Sequence, residues 1–216
     1  MEIARASAQD LALVERLRAG DEDAFLHLVD ALGPSLRRVA RMYVPSDAVA
    51  DEVVQEAWLG VLQGLHRFEG RASLRTWIFR ILVNVAKTRG QREGRSIPFA
   101  ALAGDDLDQP SFDPGAFQGA GDPSPGHWTS LPFDWRGDPE ARAEAGELLR
   151  VIGAAISALP PMQAEVIRLR DAQGWSSEEV RNALDLTDTN QRVLLHRARA
   201  KVRGAVQDHL GSVNEA

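Results

Sequence analysis

The side chains able to do chemistry in this sequence are cations, carboxylates and a few aromatic rings, spaced as contact surfaces rather than as a reaction centre. Between Arg67 and Arg95 eight basic residues stand with two acidic ones, and between Gln191 and Arg203 five basic residues stand with none. Phe68 and Trp77 are interleaved in the first cluster. Cations at this density with planar rings among them suit a phosphate backbone and unstacked bases. A third group is acidic: Asp51, Glu52, Gln55 and Glu56 fall along one side of a helix whose other side is apolar. The five histidines are scattered, and no Ser–His–Asp order, phosphate-cradling glycine loop or His-Glu-x-x-His occurs. Asp105, Asp106, Asp108 and Asp113 have the spacing of no calcium loop. The reading is a protein with no catalytic residues, no metal site and no cofactor.

Composition narrows the class further. The 216 residues carry a formal charge of −6 and no cysteine. Lack of cysteine removes disulfides, thiol catalysis and cysteine-ligated zinc, and fits a reducing cytoplasm. Met1 to Asp10 lacks the apolar stretch of a signal peptide, and no run approaches the roughly 20 apolar residues of a membrane helix. The expectation is a cytoplasmic protein that inserts in no membrane and takes no small-molecule substrate. The acidity is confined to the middle: residues 97–140 hold eight acidic residues and one basic, so both flanks stay free to bind a polyanion. Seven of the eleven prolines lie between Pro98 and Pro139, where no apolar periodicity survives. That stretch reads as a linker. Its aromatics, Phe99, Phe112, Phe117, Trp128, Phe133 and Trp135, predict that part of it docks on something.

The flanks must supply the elements that position the charged clusters, and both read as helix. Val53, Val54, Ala57, Trp58, Val61, Leu62 and Leu65 form one apolar stripe at three- and four-residue spacing, with Ser46 or Asp47 as its cap. Leu74, Trp77, Ile78, Ile81, Leu82 and Val85 form another behind Ser73. Leu11–Leu17 and Ala24–Tyr43 predict two earlier helices, the second broken near Pro34. In the C-terminal part Leu148 to Leu159 form a helix stopped by Pro160-Pro161, and Met162 to Arg170 form the next. Ser176 and Glu179 have capping-box spacing, opening a helix through Leu184. After Asp185-Leu186-Thr187 a long basic helix runs to about His209. Two helices joined by so short a turn are the helix-turn-helix pattern. Arg192, His196, Arg199 and Arg203 share one face of the second helix and Leu195, Ala198 and Val202 another. The fold class is all-α, with two small helical domains: a bundle at 1–96 and a helix-turn-helix at 141–216, joined by the acidic Pro/Gly-rich linker at 97–140.

These residues carry a resemblance. Asp51-Glu52-Val53-Val54-Gln55-Glu56-Ala57-Trp58 resembles the polymerase-binding helix of bacterial sigma factors. Phe68 to Ile81 resembles the promoter-reading segment that follows it. Leu159-Pro160-Pro161-Met162-Gln163-Ala164-Glu165-Val166-Ile167 and Leu195-His196-Arg197-Ala198-Arg199 resemble the C-terminal helix-turn-helix domain. Two independent motifs in this order are similar to the extracytoplasmic-function (ECF) group of the sigma-70 family, over roughly residues 20–95 and 143–208.

The resemblance implies a sigma factor that binds core RNA polymerase and directs promoter-specific initiation, with promoter DNA and an anti-sigma factor as further partners. It implies that Asp51, Glu52, Gln55 and Glu56 dock on the polymerase clamp. It places Arg67, Phe68, Arg71, Arg75, Trp77, Asn84 and Lys87 at the minus-ten element, where Phe68 stacks on a flipped base and Arg89 and Arg92 add phosphate contacts. At the minus-thirty-five element it places Arg192, His196 and Arg197 on bases, Thr189 and Gln191 near base edges, and Ser176, Ser177, Arg199, Lys201 and Arg203 on phosphates. It threads the acidic linker towards the RNA exit channel. Asp185 stands where the family's turn commonly has glycine, a position Asp tolerates better than most residues. The rival reading is a stand-alone helix-turn-helix regulator that binds duplex DNA without polymerase.

Overall fold

The computed structural model describes residues 5–92 and 139–214. Among the described residues all regular structure is helical. The linker expected at 97–140, with its aromatics and acidic block, lies outside them apart from its last two residues.

Each N-terminal helix starts where a short polar side chain can take up free backbone N–H groups. α1 (Ala8–Arg18) opens on a capping box in which the Ser7 hydroxyl and the Asp10 carboxylate each accept the other's backbone N–H at 3.0 Å. α2 (Glu22–Arg41) opens on Asp21. The Ala24 N–H and Arg16 hold that carboxyl below its ordinary range. α3 (Asp47–Gly64) is capped by Ser46 and runs into a short 3-10 turn, Leu65–Arg67. α4 (Leu74–Arg92) follows Ser73, whose hydroxyl accepts the Thr76 N–H at 3.4 Å.

One expectation fails here. Pro34 does not break α2; the helix passes through it without interruption. A proline inside a helix costs about 3 kcal/mol, through the lost backbone bond and a ring clash. Pro34 is exposed, whereas Leu36, Val39 and Ala40 just beyond it are fully buried. Burying that apolar run against α3 and α4 outweighs the local penalty. Gly60 and Gly64, one turn apart on α3, let α4 approach closely. A Cβ at Gly60 would stand 3.2 Å from Ile81, and one at Gly64 3.1 Å from the Trp77 ring.

The C-terminal elements are α5 (Pro139–Ser157), α6 (Pro161–Ile167) with a π-type turn over Arg168–Ala172, α7 (Ser177–Leu184) and α8 (Asp188–Asn214). α6 begins at the expected proline pair. α7 has the expected capping box: Ser176 Oγ accepts the Glu179 N–H at 3.2 Å and Glu179 accepts the Ser176 N–H at 2.9 Å. Asp185 takes the left-handed conformation, φ 56° and ψ 49°, which turns the chain between α7 and α8. Thr187 caps α8 by accepting the Asn190 N–H at 3.2 Å.

The helices form two compact units. One holds residues 5–92 together with Pro160–Leu195, and the other holds residues 139–159 and 196–214. The first unit thus contains α1–α4 together with α6, α7 and the first turns of α8. Its α4 lies against α2 and α3 and also against α7. Fully buried Phe79 of α4 meets buried Trp175 edge to face, with ring centroids 5.0 Å apart. On α2, Arg38 donates to the buried Glu165 carboxylate at 3.0 Å and to Ser35 at 2.7 Å. Ser35 also accepts from Gln173 at 3.2 Å.

Candidate nucleic-acid interface

The face of α4 turned towards α7 is a row of donors. Glu179 of α7 meets the start of this row and is buried. Its Oε1 accepts from Ser73 Oγ at 2.8 Å, Arg75 Nε at 3.0 Å and Arg75 Nη2 at 2.9 Å. Its Oε2 accepts from Arg75 Nη2 at 2.8 Å. With the Ser176 N–H added, the carboxylate's lone pairs are filled. Burial alone would push the Glu179 carboxyl up. The Ser176 N–H, the Ser73 hydroxyl and the Arg75 guanidinium outweigh that and hold it below its ordinary value. Arg75 also lies over the Trp175 ring, 4.6 Å from its centroid, a cation–π contact.

Further along α4, Lys87 Nζ donates to Asp185 Oδ2 at 2.5 Å. Arg80 donates to the Asn182 carbonyl at 3.3 Å and lies 3.7 Å from Asp185. The Lys87 bond outweighs partial burial and, with the charges of Lys87 and Arg80, keeps the Asp185 carboxyl below its ordinary range. Tyr43 is pushed up to about 12 by burial and by the charge of Asp185. So two of the minus-ten candidates, Arg75 and Lys87, are occupied by carboxylates of the helix-turn-helix.

The other candidates of this segment divide by exposure. Arg67, Arg71 and Asn84 are exposed; Arg67 donates to His66 at 3.1 Å and Arg71 pairs with Glu69. Trp77 is half-buried beside Gly64. Phe68 is 7% exposed and packs edge to face on Trp77, centroids 5.2 Å apart. Arg18 fixes the same turn by donating to the carbonyls of Leu65 at 2.8 Å and Phe68 at 3.0 Å. Phe68 is a wedge under the loop.

In the helix-turn-helix, Arg192 and Thr189 are exposed, and Arg192 pairs with Asp188 one turn back at 3.0 Å. His196, Arg197 and Arg203 are half-buried, and Lys201 is exposed. Two of the candidates are buried. Gln191 is 1% exposed and its Oε1 accepts from Ser177 Oγ at 2.8 Å, so this pair ties α7 to α8. Arg199 is 3% exposed. The four-three-four spacing that groups Arg199 with Arg192 and His196 does not reveal this, because a helix face says nothing of what covers it. Ser176 is the cap of α7.

On α3, Gln55 and Glu56 are exposed, together with Leu59 and Leu62, so the acidic face carries two apolar side chains. Asp51 is paired with Arg37 at 2.7 Å, and Glu52 with Arg89 of α4. The sequence reading did not single out Ser73, Arg80, Glu179 or Asp185 as contacts. The capping-box spacing marks Glu179 as a cap, but nothing local marks its second set of partners, about a hundred residues earlier in the chain. Among the described residues no cluster of metal-ligating side chains occurs, and no helix is long and apolar enough to cross a membrane.

Comparison with known proteins agrees with the arrangement of elements. The family described as Sigma-70 region 2 matches residues 28–96, and Sigma-70, region 4 matches residues 149–202. The ECF RNA polymerase sigma-E factor of Escherichia coli (strain K12) is 31% identical, over 92% of this chain and 94% of that one. A solved structure of CnrH in complex with the cytosolic domain of CnrY is 22% identical, covering 92% of this chain and 97% of that one, at a TM-score of 0.47. The sigma factor RpoE in complex with the anti-sigma factor NepR, from Bartonella quintana, is 20% identical, covering 85% and 96%, at a TM-score of 0.46. By its two matched regions in order and its full-length relative, this chain belongs to the ECF sigma factors of the sigma-70 family.

Proposed function

We propose that the chain works as family membership implies, with its parts assigned as follows. Gln55, Glu56, Leu59 and Leu62 on α3 dock on core RNA polymerase, with Asp51 and Glu52 joining once their own arginines release them. The donor row of α4, with Arg67, Arg71 and Asn84 before and along it, holds the separated strand of the minus-ten element. Arg192, Thr189, His196 and Arg197 on α8 face the minus-thirty-five element. A domain at 1–96 and one at 141–216, joined by a linker at 97–140, span the two elements. The chain has no catalytic chemistry of its own, acts in the cytoplasm, and is held in check by an anti-sigma partner.

The observation that carries this reading is the donor row itself. Ser73, Arg75, Arg80 and Lys87 all aim at oxyanions or carbonyls along one side of α4. Such a row suits a phosphate backbone. The test is transcription. Purified chain is added to sigma-free core polymerase on a pool of genomic fragments, and the RNA starts are sequenced. Discrete starts sharing two upstream elements are expected. Arg192→Ala should lose discrimination at the upstream element, where one bidentate Arg–guanine contact is worth roughly 1–3 kcal/mol. Gln55→Lys with Glu56→Lys should lose the complex with core while the fold stays intact. Full activity in both variants would show the assignment to be wrong, and no complex with core would favour the stand-alone regulator.

A further inference from the structure

We infer that residues 6–18 form a buttress that presets the loop carrying Arg67 and Arg71, and that Arg18 is a positioning residue for base choice at the minus-ten element. The inference rests on the placing of Arg67 and Arg71 at the minus-ten strand given above. Its own support is geometric. The chain leaves α3 through the 3-10 turn Leu65–Arg67 and enters α4 only at Leu74. The buttress holds this loop at two places. At the first, the Arg18 guanidinium lies across two carbonyls: Nε and Nη2 donate to Leu65 at 3.1 and 2.8 Å, and Nη2 donates also to Phe68 at 3.0 Å. Nη1 of the same group donates to Glu15 at 2.7 Å, which fixes the plane of the fork. At the second, the Ala6 N–H donates to the Gly70 carbonyl at 3.1 Å. Gly70 has a φ of +70°, and a Cβ there would stand 3.3 Å from Leu11 Cδ2 and 3.4 Å from the Ala6 Cβ. Between the two anchors Arg67 and Glu69 are exposed, and Arg71 is exposed just beyond the second.

Carbonyls at the end of a helix lack backbone donors, and a guanidinium supplies them with a planar fork. Every one of these polar anchors on the loop is a bond to its backbone, so the buttress sets the loop's shape and leaves its charged side chains free. A loop ordered in advance has less freedom to lose on binding. It also selects more sharply. Donors fixed in place suit one base and leave polar groups unpaired against another, whereas a slack loop adapts to several. Phosphate attraction carries no base information, and the cations of α4 supply it without Arg18. Loss of Arg18 should therefore cost selectivity more than overall binding.

The test uses the full chain assembled with core polymerase, on the promoter defined by the sequenced starts. Initiation is compared on that promoter, on copies with one minus-ten base changed and on copies with one minus-thirty-five base changed. Arg18→Ala should lower the minus-ten preference about tenfold, the order of one hydrogen bond to a charged group. The minus-thirty-five preference and the complex with core should match the parent. A weakened fold lowers initiation on all templates together and moves neither ratio. Arg18→Lys keeps the charge and the stem, so it tests the same point should the alanine variant not fold. It lacks the fork that spans two carbonyls and should lose part of the preference. Arg67→Ala with Arg71→Ala checks the reading beneath and should lose the minus-ten preference as well. Parent-like preference in both Arg18 variants, with loss in the Arg67 and Arg71 variant, would overturn the buttress and leave the strand-binding assignment standing. Loss of both preferences together in the Arg18 variants would also count against it, as a general fault of the fold. No minus-ten preference in the parent chain would overturn both.

Discussion

Glu179 and Asp185 show how much one carboxylate can do when several elements converge on it. Glu179 ends the backbone deficit of α7 and at the same time neutralises Arg75. Asp185 makes the turn and neutralises Lys87. The left-handed conformation of Asp185 leads to a specific expectation. Asp185→Ala should destabilise the fold by about 1–2 kcal/mol, the cost of a Cβ in that region without a short polar group to offset it. Asp185→Asn should stay close to the parent, because the ion pair it loses is half exposed and worth at most about 1 kcal/mol. Denaturant midpoints of the two variants decide it; equal midpoints would mean the turn is not strained. The tolerance of Asp for this turn is readable from residue type alone. The burial of Phe68, Gln191 and Arg199 is not. Aromatic, amide and guanidinium groups are as common at DNA surfaces as under them, and only neighbours distant in sequence settle which.

At the level of the helices, spacing and caps carry most of the information. Ser46, the Ser176–Glu179 box, the Pro160-Pro161 start and the short turn before α8 all lie where local backbone chemistry demands them. Those signals act within three or four residues, so a sequence shows them directly. α2 is the exception, because its continuity past Pro34 depends on burial of Leu36, Val39 and Ala40 against other helices. Pro34 is exposed, and its replacement restores a bond to the Asp30 carbonyl. Pro34→Ala should therefore raise the melting temperature, with a gain of up to about 3 kcal/mol. A lowered melting temperature would mean that the proline shapes the helix in a way the packing requires.

For the molecule as a whole, the main surprise is that α7, more than eighty residues beyond the end of α4, packs on it within one unit. No periodicity or motif announces this, since complementary charges on two helices look like two solvated faces until they meet. The packing has a pH signature whose sign is fixed by the directions of the shifts. Glu179 and Asp185 lie below their ordinary values of 4.5 and 3.8. Their contribution is complete above those values and is lost as the pH falls through the lower values they have in the fold. Tyr43, raised from 10.0 to about 12, contributes below 10.0 and loses its contribution as the pH rises through about 12. The chain has no cysteine, so Gln91→Cys and Ala172→Cys, at exposed positions, take a dye pair whose energy transfer should be flat through neutrality and fall on the acid side once those carboxylates protonate. Transfer that outlasts their protonation would assign the contact to the Phe79–Trp175 pair and the Arg38–Glu165 pair. The double duty of Glu179 also bears on how such a chain can evolve. Glutamate and glutamine codons differ by one base, and both residues complete the α7 cap. A single point mutation can therefore loosen the contact with α4 without endangering the fold of the domain that carries it. Selection can adjust the strength of that packing in one small step.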